Sequence, residues 1–452
     1  MESPISARRT RSAALPRVPG LAFLLTLALL AGVGPAAAQQ PPATLADGND
    51  EVWITLGSDA FAAANRAWPR RAFGAALPDL AAAPGVVLTR LRREEIDELA
   101  DQIHQELRRC GGFRQHATLA AGLAELARVA LPRRDVETIP LLIDQPYWVQ
   151  QVAGAIDEAQ ILATISALST NFNNRYHAHP SGTAAATWIR DLWAGYAAGR
   201  PEVTVQLVTH PTTPQPSVIL VLPGTTLADE VVVLGGHLDS TAPGSWNPDF
   251  LAPGADDNAS GIATLSEVVR VALAAGFQPQ RSIHVMAYAA EEIGLEGSAD
   301  IAGDYDAAGI DVVAMLQQDM TDYHGSTEDI ALISDYTNAT LNAFLVDLLE
   351  TYQPSLLSTS TACGYGCSDH YSWHSYGYPA SFAFEARMGE HNPWIHSTSD
   401  TVATLGNSAA HAAKFARLAA AFLVEVGLDD SPSIFADGFE SAGTGNWSET
   451  FP

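Results

Sequence analysis

The chain is short of basic residues, and that shortage narrows the partners it can bind. Only 24 lysines and arginines stand against 51 aspartates and glutamates in 452 residues, which gives a net charge of −27. Such a surplus of negative charge repels a phosphate backbone, so we expect no nucleic acid partner. Beyond residue 38 the chain also has no run of the roughly 18 apolar residues that a transmembrane helix needs, so we expect no membrane partner.

Two catalytic motifs are absent from the sequence. Gly-x-Ser-x-Gly, which presents the nucleophile of many serine hydrolases, does not occur, and a serine hydrolase is therefore disfavoured. His-Glu-x-x-His, which puts two zinc-binding histidines on one helix face, is missing too, and its absence excludes the zincin class of metalloprotease. Any hydrolytic chemistry must come from another arrangement of side chains.

Cysteine is also scarce, since the chain has only Cys110, Cys363 and Cys367. The last two bracket Gly-Tyr-Gly, and in an oxidising compartment so close a pair can form a disulfide. A metal site is the alternative, but C-x3-C would need further cysteine or histidine ligands nearby. We expect the disulfide, with Cys110 left as the odd thiol.

The N-terminus predicts export. Four arginines precede the apolar run LAFLLTLALLAGVG, and the small residues AAA follow it, so residues 1–38 are predicted to be a secretory signal peptide cleaved after Ala38. We favour the general export route, because the residues around Arg8 and Arg9 fit the twin-arginine route poorly. The mature protein is expected to be secreted and extracellular.

The rest of the chain divides by charge. Residues 39–138 carry 12 basic and 14 acidic side chains, whereas residues 139–428 carry 8 basic and 31 acidic ones. This break predicts two units with different roles. Residues 429–452 are acidic and rich in glycine and serine, and we interpret them as a C-terminal tail, open to processing, without a core of its own.

Apolar patterning in residues 139–428 predicts the fold class. The runs at 231–236, 283–290 and 312–317 are short, nearly continuous apolar segments separated by helical patterns. Strands buried on both faces have this composition, which is typical of a parallel sheet covered by helices. We predict an α/β fold with a central mixed, mostly parallel sheet flanked by helices. Residues 94–109 show helical spacing as well, and we predict there a plain amphipathic helix without catalytic chemistry.

Polar side chains follow each of the three apolar runs. His237 and Asp239 follow the first, Glu291 and Glu292 the second, and Asp319 the third. The loop PGADDNASG at 253–261 adds two more acids between the first two runs. Because ligands of open α/β sheets bind beyond the carboxyl ends of the strands, these side chains predict a site for zinc or a related metal.

Six stretches carry a family resemblance, and in chain order they are GGHLDS (235–240), PGADDNASG (253–261), AYAAEEIGLEGS (287–298), QQDMT (317–321), ACGYGCSDH (362–370) and NPWIHSTSDT (392–401). Together they closely resemble the secreted bacterial leucyl aminopeptidases, which are dizinc exopeptidases with an α/β fold. The resemblance covers about residues 140–428. VWITLGSDA (52–60) and RCGGF (109–113) also resemble that family's cleaved propeptide, so residues 39–138 are predicted to be an N-terminal propeptide.

The resemblance implies that each chain holds two Zn²⁺ ions. It makes Asp257 the carboxylate that bridges them. His237 and Asp319 complete the coordination of one ion, and Glu292 and His396 complete that of the other. Residues 139–428 would then form the zinc aminopeptidase catalytic domain.

The same resemblance implies the catalytic groups. Glu291 is the general acid and base of the reaction. Asp239 accepts the second ring N–H of His237, as metal-bound histidines usually require. Tyr365, held by the loop between the paired cysteines, stabilises the tetrahedral oxyanion.

The resemblance also implies a pocket for the first side chain of the substrate, lined by Met320, Ile333, Phe382, Phe384, Met388 and Ile395. All six residues are apolar, so we expect peptide or protein N-termini with a Leu-like or aromatic first residue to bind best. A methylene group discriminates only about 10–200-fold, so selectivity among large apolar residues is expected to be modest.

Three other functions compete with a zinc aminopeptidase. A glutaminyl-cyclase-like acyltransferase shares the fold and predicts one zinc per chain. A zinc carboxypeptidase would need a basic residue for the terminal carboxylate, and the few arginines of 139–428 do not lie near the motifs. A non-catalytic secreted binding protein of the same fold would lack ligands, yet every ligand is present. We therefore expect a secreted, monomeric zinc aminopeptidase.

Overall fold

The computed structural model describes residues 51–67, 76–107, 109, 112–130 and 141–428. The predicted signal peptide, the boundary between 138 and 139, Cys110 and the tail at 429–452 lie outside these ranges. Within the ranges, no helix is both long and apolar enough to cross a membrane. The described residues belong to one compact unit that begins at Asp50. The division of the chain into propeptide and catalytic domain stays a prediction.

The described residues before 131, called the N-terminal unit below, contain strand β1 (Glu51–Gly57), helix α1 (Ser58–Ala67), β2 (Ala81–Ala83), β3 (Val86–Arg92), α2 (Ile96–Leu107), β4 (Phe113–His116) and α3 (Leu119–Ala130). The four strands form an antiparallel sheet in the order β2-β3-β1-β4. Helix α2 buries Ile96, Leu99 and Ile103 in the core of the unit, as their spacing predicts.

The described residues from 141 onward alternate helices and strands, which in chain order are α4 (Pro146–Ala153), α5 (Glu158–Thr170), α6 (Pro180–Tyr196), β5 (Thr204–Val208), β6 (Ser217–Leu222), β7 (Leu227–His237), α7 (Gly261–Ala274), β8 (Arg281–Tyr288), α8 (Glu296–Ala308), β9 (Asp311–Gln318), β10 (Ile330–Ile333), α9 (Ala339–Tyr352), β11 (Ser358–Thr361), α10 (His370–Ser375), β12 (Ala380–Phe384) and α11 (Ala412–Gly427). The three apolar runs of the sequence correspond to β7, β8 and β9.

Eight strands form one mixed sheet in the order β11-β10-β12-β9-β7-β8-β6-β5. The central strands β12, β9, β7 and β8 are parallel neighbours. Antiparallel pairing occurs toward the edges, where β6 joins β8, β5 joins β6 and β10 joins β12. The predicted fold class, a mixed and mostly parallel sheet flanked by helices, is confirmed.

Helices cover both faces of the sheet, which explains the continuous apolar runs. Along β7, Val232 and Leu234 pack in the core that contains α5, α7 and α11. Val231 and Val233 pack on the opposite face with residues of α8 and α10. Neighbouring residues of a strand point to opposite faces, so a strand that is covered on both sides needs apolar residues at every position.

Arg175 ties the end of β7 to the loop that precedes α7. Its guanidinium is buried and donates hydrogen bonds to the main-chain carbonyls of Leu238 and Gly254, each at 2.8 Å. Burial lowers its pKa to about 10, so the group still carries its charge. A guanidinium has five N–H groups in a fixed fork, and one side chain can therefore hold several carbonyls. The loop that carries Asp257 is thereby fixed to the strand that carries His237.

Candidate active site and metal centre

The carboxyl ends of β8, β7 and β9 meet at one edge of the sheet, because these strands are parallel neighbours. Strand β7 ends with His237, the pair Glu291 and Glu292 follows β8, and Asp319 follows β9. The Nε2 atom of His237 lies 3.3 Å from Oδ1 of Asp319. The structure therefore brings together the polar side chains that follow the three apolar runs.

Asp257 lies between two histidines. Its Oδ1 is 3.1 Å from Nε2 of His237, and its Oδ2 is 3.0 Å from Nε2 of His396. The Nε2 of His396 is also 3.2 Å from Oε2 of Glu292. The donor atoms thus form two groups, one around His237 with Asp319 and one around His396 with Glu292, and each oxygen of Asp257 belongs to a different group.

The donor atoms are buried, and their short contacts with one another do not have the geometry of hydrogen bonds. His237, Asp257, Glu292 and Asp319 are each no more than 3% exposed. Both carboxylate oxygens of Asp257 and of Glu292 are without a hydrogen-bond partner among the described residues. Buried polar atoms are normally paired, so this concentration of unpaired oxygen and nitrogen atoms indicates a site for cations. Imidazole and carboxylate groups are ligands that zinc takes in proteins, and the residues present therefore fit zinc.

The charges at this edge of the sheet depend on one another. Burial lowers the pKa of His396, but the carboxylates of Glu292 and Asp257 outweigh burial and raise this pKa to about 10. Burial raises the pKa of Asp257, but His237 and His396 outweigh it and hold this pKa well below its usual range. Burial also raises the pKa of Glu292 to about 7. Asp257 therefore stays ionised because positive charge faces both of its oxygens.

Glu291 lies beside the two donor groups, but its environment differs from theirs. Its Oε2 is buried without a hydrogen bond to any described residue. Burial raises the pKa of Glu291 well above its usual range; His237 opposes this effect, and Glu292, Asp369 and Asp319 add to it. A carboxylate with a raised pKa is a stronger base than an ordinary glutamate, which suits general acid–base chemistry.

Asp239 fixes the turn that carries the two glutamates. Its Oδ1 and Oδ2 accept the main-chain N–H groups of Glu291 and Glu292 at 3.0 and 3.1 Å. Its Oδ1 also lies 3.4 Å from Nδ1 of His237, without hydrogen-bond alignment. The carboxylate of Asp239 thus connects the end of β7 to the turn after β8. The hydrogen bond that we expect between Asp239 and the histidine ring stays a prediction.

The adjacent acids of PGADDNASG point to different partners. Whereas Asp257 faces the histidines, Asp256 accepts the main-chain N–H of Asp322 at 3.0 Å and the side-chain amide of Asn392 at 3.1 Å. The carboxylate of Asp400 in turn accepts the main-chain N–H groups of Asp256 and Asp257, at 3.1 and 3.0 Å. Asp256 and Asp400 therefore shape the loop, and only Asp257 is directed at the donor groups.

An apolar cluster lies next to the donor groups and contains Tyr365 with the disulfide between Cys363 and Cys367. The disulfide confirms the predicted pairing. Asp335 accepts the main-chain N–H of Cys363 at 3.0 Å and so holds one end of the disulfide loop. The structure brings all six predicted pocket residues into this same cluster, namely Met320, Ile333, Phe382, Phe384, Met388 and Ile395.

The sequence prediction missed one residue of this site. Helix α2 was predicted to carry no chemistry, yet its His104 stacks on His396 with ring centroids 3.9 Å apart. A signal for it exists in the sequence. The apolar positions Ile96, Ala100 and Ile103 define a buried face of α2, and position 104 lies one turn beyond Ala100 on that face. A histidine among apolar positions of a helix is a candidate for a buried polar role.

A buried histidine–carboxylate centre at the carboxyl edge of a mixed α/β sheet indicates a metal-dependent enzyme, and comparisons with known proteins give its family. The sequence pattern of peptidase family M28 matches residues 217–422. A probable leucine aminopeptidase of Arthroderma otae is 36% identical over 258 residues, which are 56% of this chain and 70% of the relative. Leucine aminopeptidase 1 of Trichoderma harzianum is 32% identical over 371 residues, covering 77% and 89% of the two chains.

Solved structures agree with the sequence comparisons. The crystal structure of LapB from Legionella pneumophila matches with a TM-score of 0.71 and 27% identity, over 84% of this chain and 100% of that chain. The structure of LapA aminopeptidase from the same organism matches with a TM-score of 0.71 and 26% identity, over 83% and 98%. The chain belongs to peptidase family M28, and it is a zinc-dependent metallo-aminopeptidase.

We predict that Asp257→Ala lowers the metal content of the protein by at least one ion per chain, because it removes an oxygen from each donor group. The matched control is Asp249→Asn, which removes the charge of an exposed aspartate in the loop after β7 that belongs to neither donor group. Elemental analysis of both proteins after dialysis against zinc measures the effect. Full occupancy in Asp257→Ala, or an equal loss in Asp249→Asn, would contradict the assignment.

Proposed function

We propose that the enzyme removes large apolar residues from the N-termini of peptides with two Zn²⁺ ions, using Glu291 to move the proton. The observation that carries the proposal is the position of Asp257, whose two oxygens face two separate histidines at 3.1 and 3.0 Å. One group of donors would bind a single ion. Two complete groups that share a carboxylate support a pair of ions instead, as in two-metal aminopeptidases.

The ligands in this proposal are His237, Asp257 and Asp319 for one ion, and His396, Asp257 and Glu292 for the other. Zinc held by these residues supplies Lewis-acid chemistry, because it polarises a carbonyl group and lowers the pKa of water toward 7. Two Zn²⁺ ions bring four positive charges to three carboxylates, so the pair would leave the site with one net positive charge. That excess favours an anionic nucleophile and an anionic transition state.

Glu291 is proposed to accept the proton of the attacking water and to deliver it to the leaving amine. A carboxylate that ligates a metal cannot do this freely, so the reaction needs a second glutamate beside the ligand Glu292. Asp239 supports this division of roles, because it accepts the main-chain N–H groups of both Glu291 and Glu292 and so fixes the two residues relative to each other. Tyr365, which lies in the disulfide loop, is proposed to donate a hydrogen bond from its hydroxyl group to the oxyanion.

The apolar cluster around Tyr365 is proposed to receive the first side chain of the substrate. Its members offer aliphatic, aromatic and thioether surfaces, and Met388 and Ile395 are only partly buried. A pocket with such a lining gains most from a leucine-like residue. The main-chain atoms of that residue would then lie at the donor groups, because Ile395 and Met320 directly adjoin the ligands His396 and Asp319 in the sequence.

A panel of anilide substrates tests the activity. We expect cleavage of leucine anilide, at least about 10-fold lower kcat/KM for alanine anilide because it buries less apolar surface, and no cleavage of N-acetyl-leucine anilide because its amine is blocked. A zinc chelator should abolish turnover and added zinc should restore it. Cleavage of the acetylated substrate, or turnover that resists the chelator, would rule out a metal-dependent aminopeptidase with these ligands.

We predict that Glu291→Gln lowers kcat on leucine anilide by about 10²–10⁴-fold, the usual contribution of a general acid–base group. Both zinc ions should be retained, because Glu291 is not a ligand in this proposal. Glu350→Gln, an exposed glutamate of α9, is the matched control and should keep normal turnover. The proposed role would be wrong if Glu291→Gln lost zinc or kept near-normal activity.

We further propose that the enzyme is secreted, is trimmed at its N-terminus, and acts as a monomer on peptides or proteins. The disulfide supports an oxidising compartment. Mass spectrometry of protein recovered from culture medium tests this. We expect the signal peptide to be absent and the most active form to begin near residue 139. A fully active secreted form that begins at residue 39 would contradict the removal of 39–138, and retention inside cells would contradict export.

A further inference from the structure

The turn that carries the two neighbouring glutamates is held by side chains from distant parts of the chain. The main-chain N–H groups of residues 289–292 each donate to a side-chain oxygen. Ser217 accepts the first at 2.9 Å through Oγ, and Gln215 accepts the second at 3.1 Å through Oε1. Asp239 accepts the other two. The carboxylate of Asp239 is therefore only one of three side chains that fix the turn.

The conformation of the turn explains why it needs these acceptors. Strand β8 ends at Tyr288, and Ala290 has a φ of +54°, a left-handed conformation that is unfavourable for a residue with a Cβ atom. The carbonyl side of the turn is held by its own segment, because Ala290 accepts the main-chain N–H of Glu296 at 3.1 Å and Ala289 accepts that of Gly297 at 2.9 Å. The N–H side depends on side chains instead.

Gln215 also connects the turn to the arginine that holds the loop of Asp257. Gln215 is fully buried, and its Nε2 donates to the main-chain carbonyls of Arg175 at 3.1 Å and Gly182 at 3.3 Å. Because its nitrogen meets these two carbonyls, the amide presents its oxygen to Ala290. The guanidinium of Arg175 holds the start of the loop that carries Asp257. One amide thus links the turn of the glutamates to the support of the metal-binding loop.

Ser217 is oriented by two further side chains. Its Oγ lies 2.7 Å from Nε2 of His210, and Nδ1 of the same ring lies 2.8 Å from Oδ2 of Asp300 in α8. A carboxylate only accepts hydrogen bonds, so the proton of the ring belongs on Nδ1, and Nε2 can then accept the hydroxyl proton of Ser217. The serine oxygen is thereby directed to accept the N–H of Ala289.

The order of Asp300, His210 and Ser217 is the same as in the relay that activates a serine nucleophile. Their surroundings exclude that use. Ser217 is fully buried, and its Oγ already accepts the N–H of Ala289, so a substrate carbonyl cannot reach it. The relay therefore holds the serine hydroxyl in one orientation and does not activate it.

We propose that Gln215 and Ser217 are positioning residues, which place Glu291 for proton transfer while its neighbour ligates zinc. His210 and Asp300 act through Ser217. The inference rests on the proposed function. Two adjacent glutamates with different roles must face different targets, and both depend on the path of one short turn. A displacement of about 1 Å in such an arrangement can lower a rate by roughly 100-fold, so the acceptors of the turn affect the chemical step without touching the substrate.

The first test replaces the two acceptors in the secreted, zinc-loaded enzyme. Gln215→Leu and Ser217→Ala should each lower kcat on leucine anilide about 10–100-fold and change KM less than about 2-fold, because the turn moves and the pocket does not. The matched control is Ser282→Ala, at the other end of β8. Ser282 is also buried, accepts the main-chain N–H of Gly224 at 3.1 Å and donates to the carbonyl of Ala228 at 2.7 Å. This control should lower the melting temperature as much as Ser217→Ala and leave kcat unchanged.

Normal kcat in Gln215→Leu and Ser217→Ala, or an equal loss of kcat in Ser282→Ala, would overturn the inference. Amide hydrogen exchange of the peptide that covers residues 287–295 adds a measurement that does not depend on activity. Exchange should be faster in the two acceptor variants than in the wild type, and unchanged in Ser282→Ala. Unchanged exchange in the acceptor variants would overturn the inference and leave the proposed function intact. Normal turnover in Glu291→Gln would instead contradict the proposed function.

Two substitutions of His210 test the relay, and they decide the question if neither acceptor variant folds. His210→Gln keeps an oxygen that can accept the hydroxyl proton of Ser217, whereas His210→Leu does not. We expect His210→Leu to lower kcat about 2–10-fold, the equivalent of one hydrogen bond, and His210→Gln to recover most of the loss. Equal kcat in the two variants would show that His210 does not act through Ser217 and would overturn its place in the proposal.

Discussion

Buried negative charge is the constraint on which the catalytic region depends. Asp257 and Asp319 are buried on the same nitrogen of His237, at 3.1 and 3.3 Å, and Glu292 is buried on that of His396 at 3.2 Å. Carboxylates in a medium of low polarity repel each other strongly and lose their hydration, so the arrangement is stable only if positive charge lies between them. Two histidines partly provide it, because the carboxylates around His237 and His396 outweigh burial and raise the pKa of each ring. Metal ions meet the same need and add Lewis acidity.

A second layer of acids lies behind Asp257 and is held by hydrogen bonds. Burial raises the pKa values of Asp256, Glu385 and Asp400, and the charge of Asp256 raises those of Glu385 and Asp400 further. The carboxylate of Asp400 accepts the main-chain N–H groups of Asp256 and Asp257, and it thereby holds the main chain of the loop. The buried guanidinium of Arg175 adds a positive charge where it donates to the carbonyl of Gly254. The fold thus directs Asp257 at the donor groups and uses the acids behind it to support the loop.

The sequence was sufficient to predict the sheet and the convergence of side chains at its edge, and the physical reasons are local. The apolar runs within β7, β8 and β9 are nearly continuous because both faces of these strands are covered, and each run is followed by a histidine or an acid. Contacts between distant segments were not predictable in this way. The stacking of His104 on His396 joins positions 292 residues apart, and the partners of Asp256 come from two separate loops. No spacing rule encodes such pairs.

Locating the metal ions directly is the sharpest test of the account, whose central claim is that the two oxygens of Asp257 serve two different ions. Anomalous diffraction at the zinc edge from crystals of the zinc-loaded enzyme measures this. The account predicts two peaks, one among His237, Asp319 and Oδ1 of Asp257, the other among His396, Glu292 and Oδ2. A single peak, or two peaks that do not flank Asp257, would contradict it.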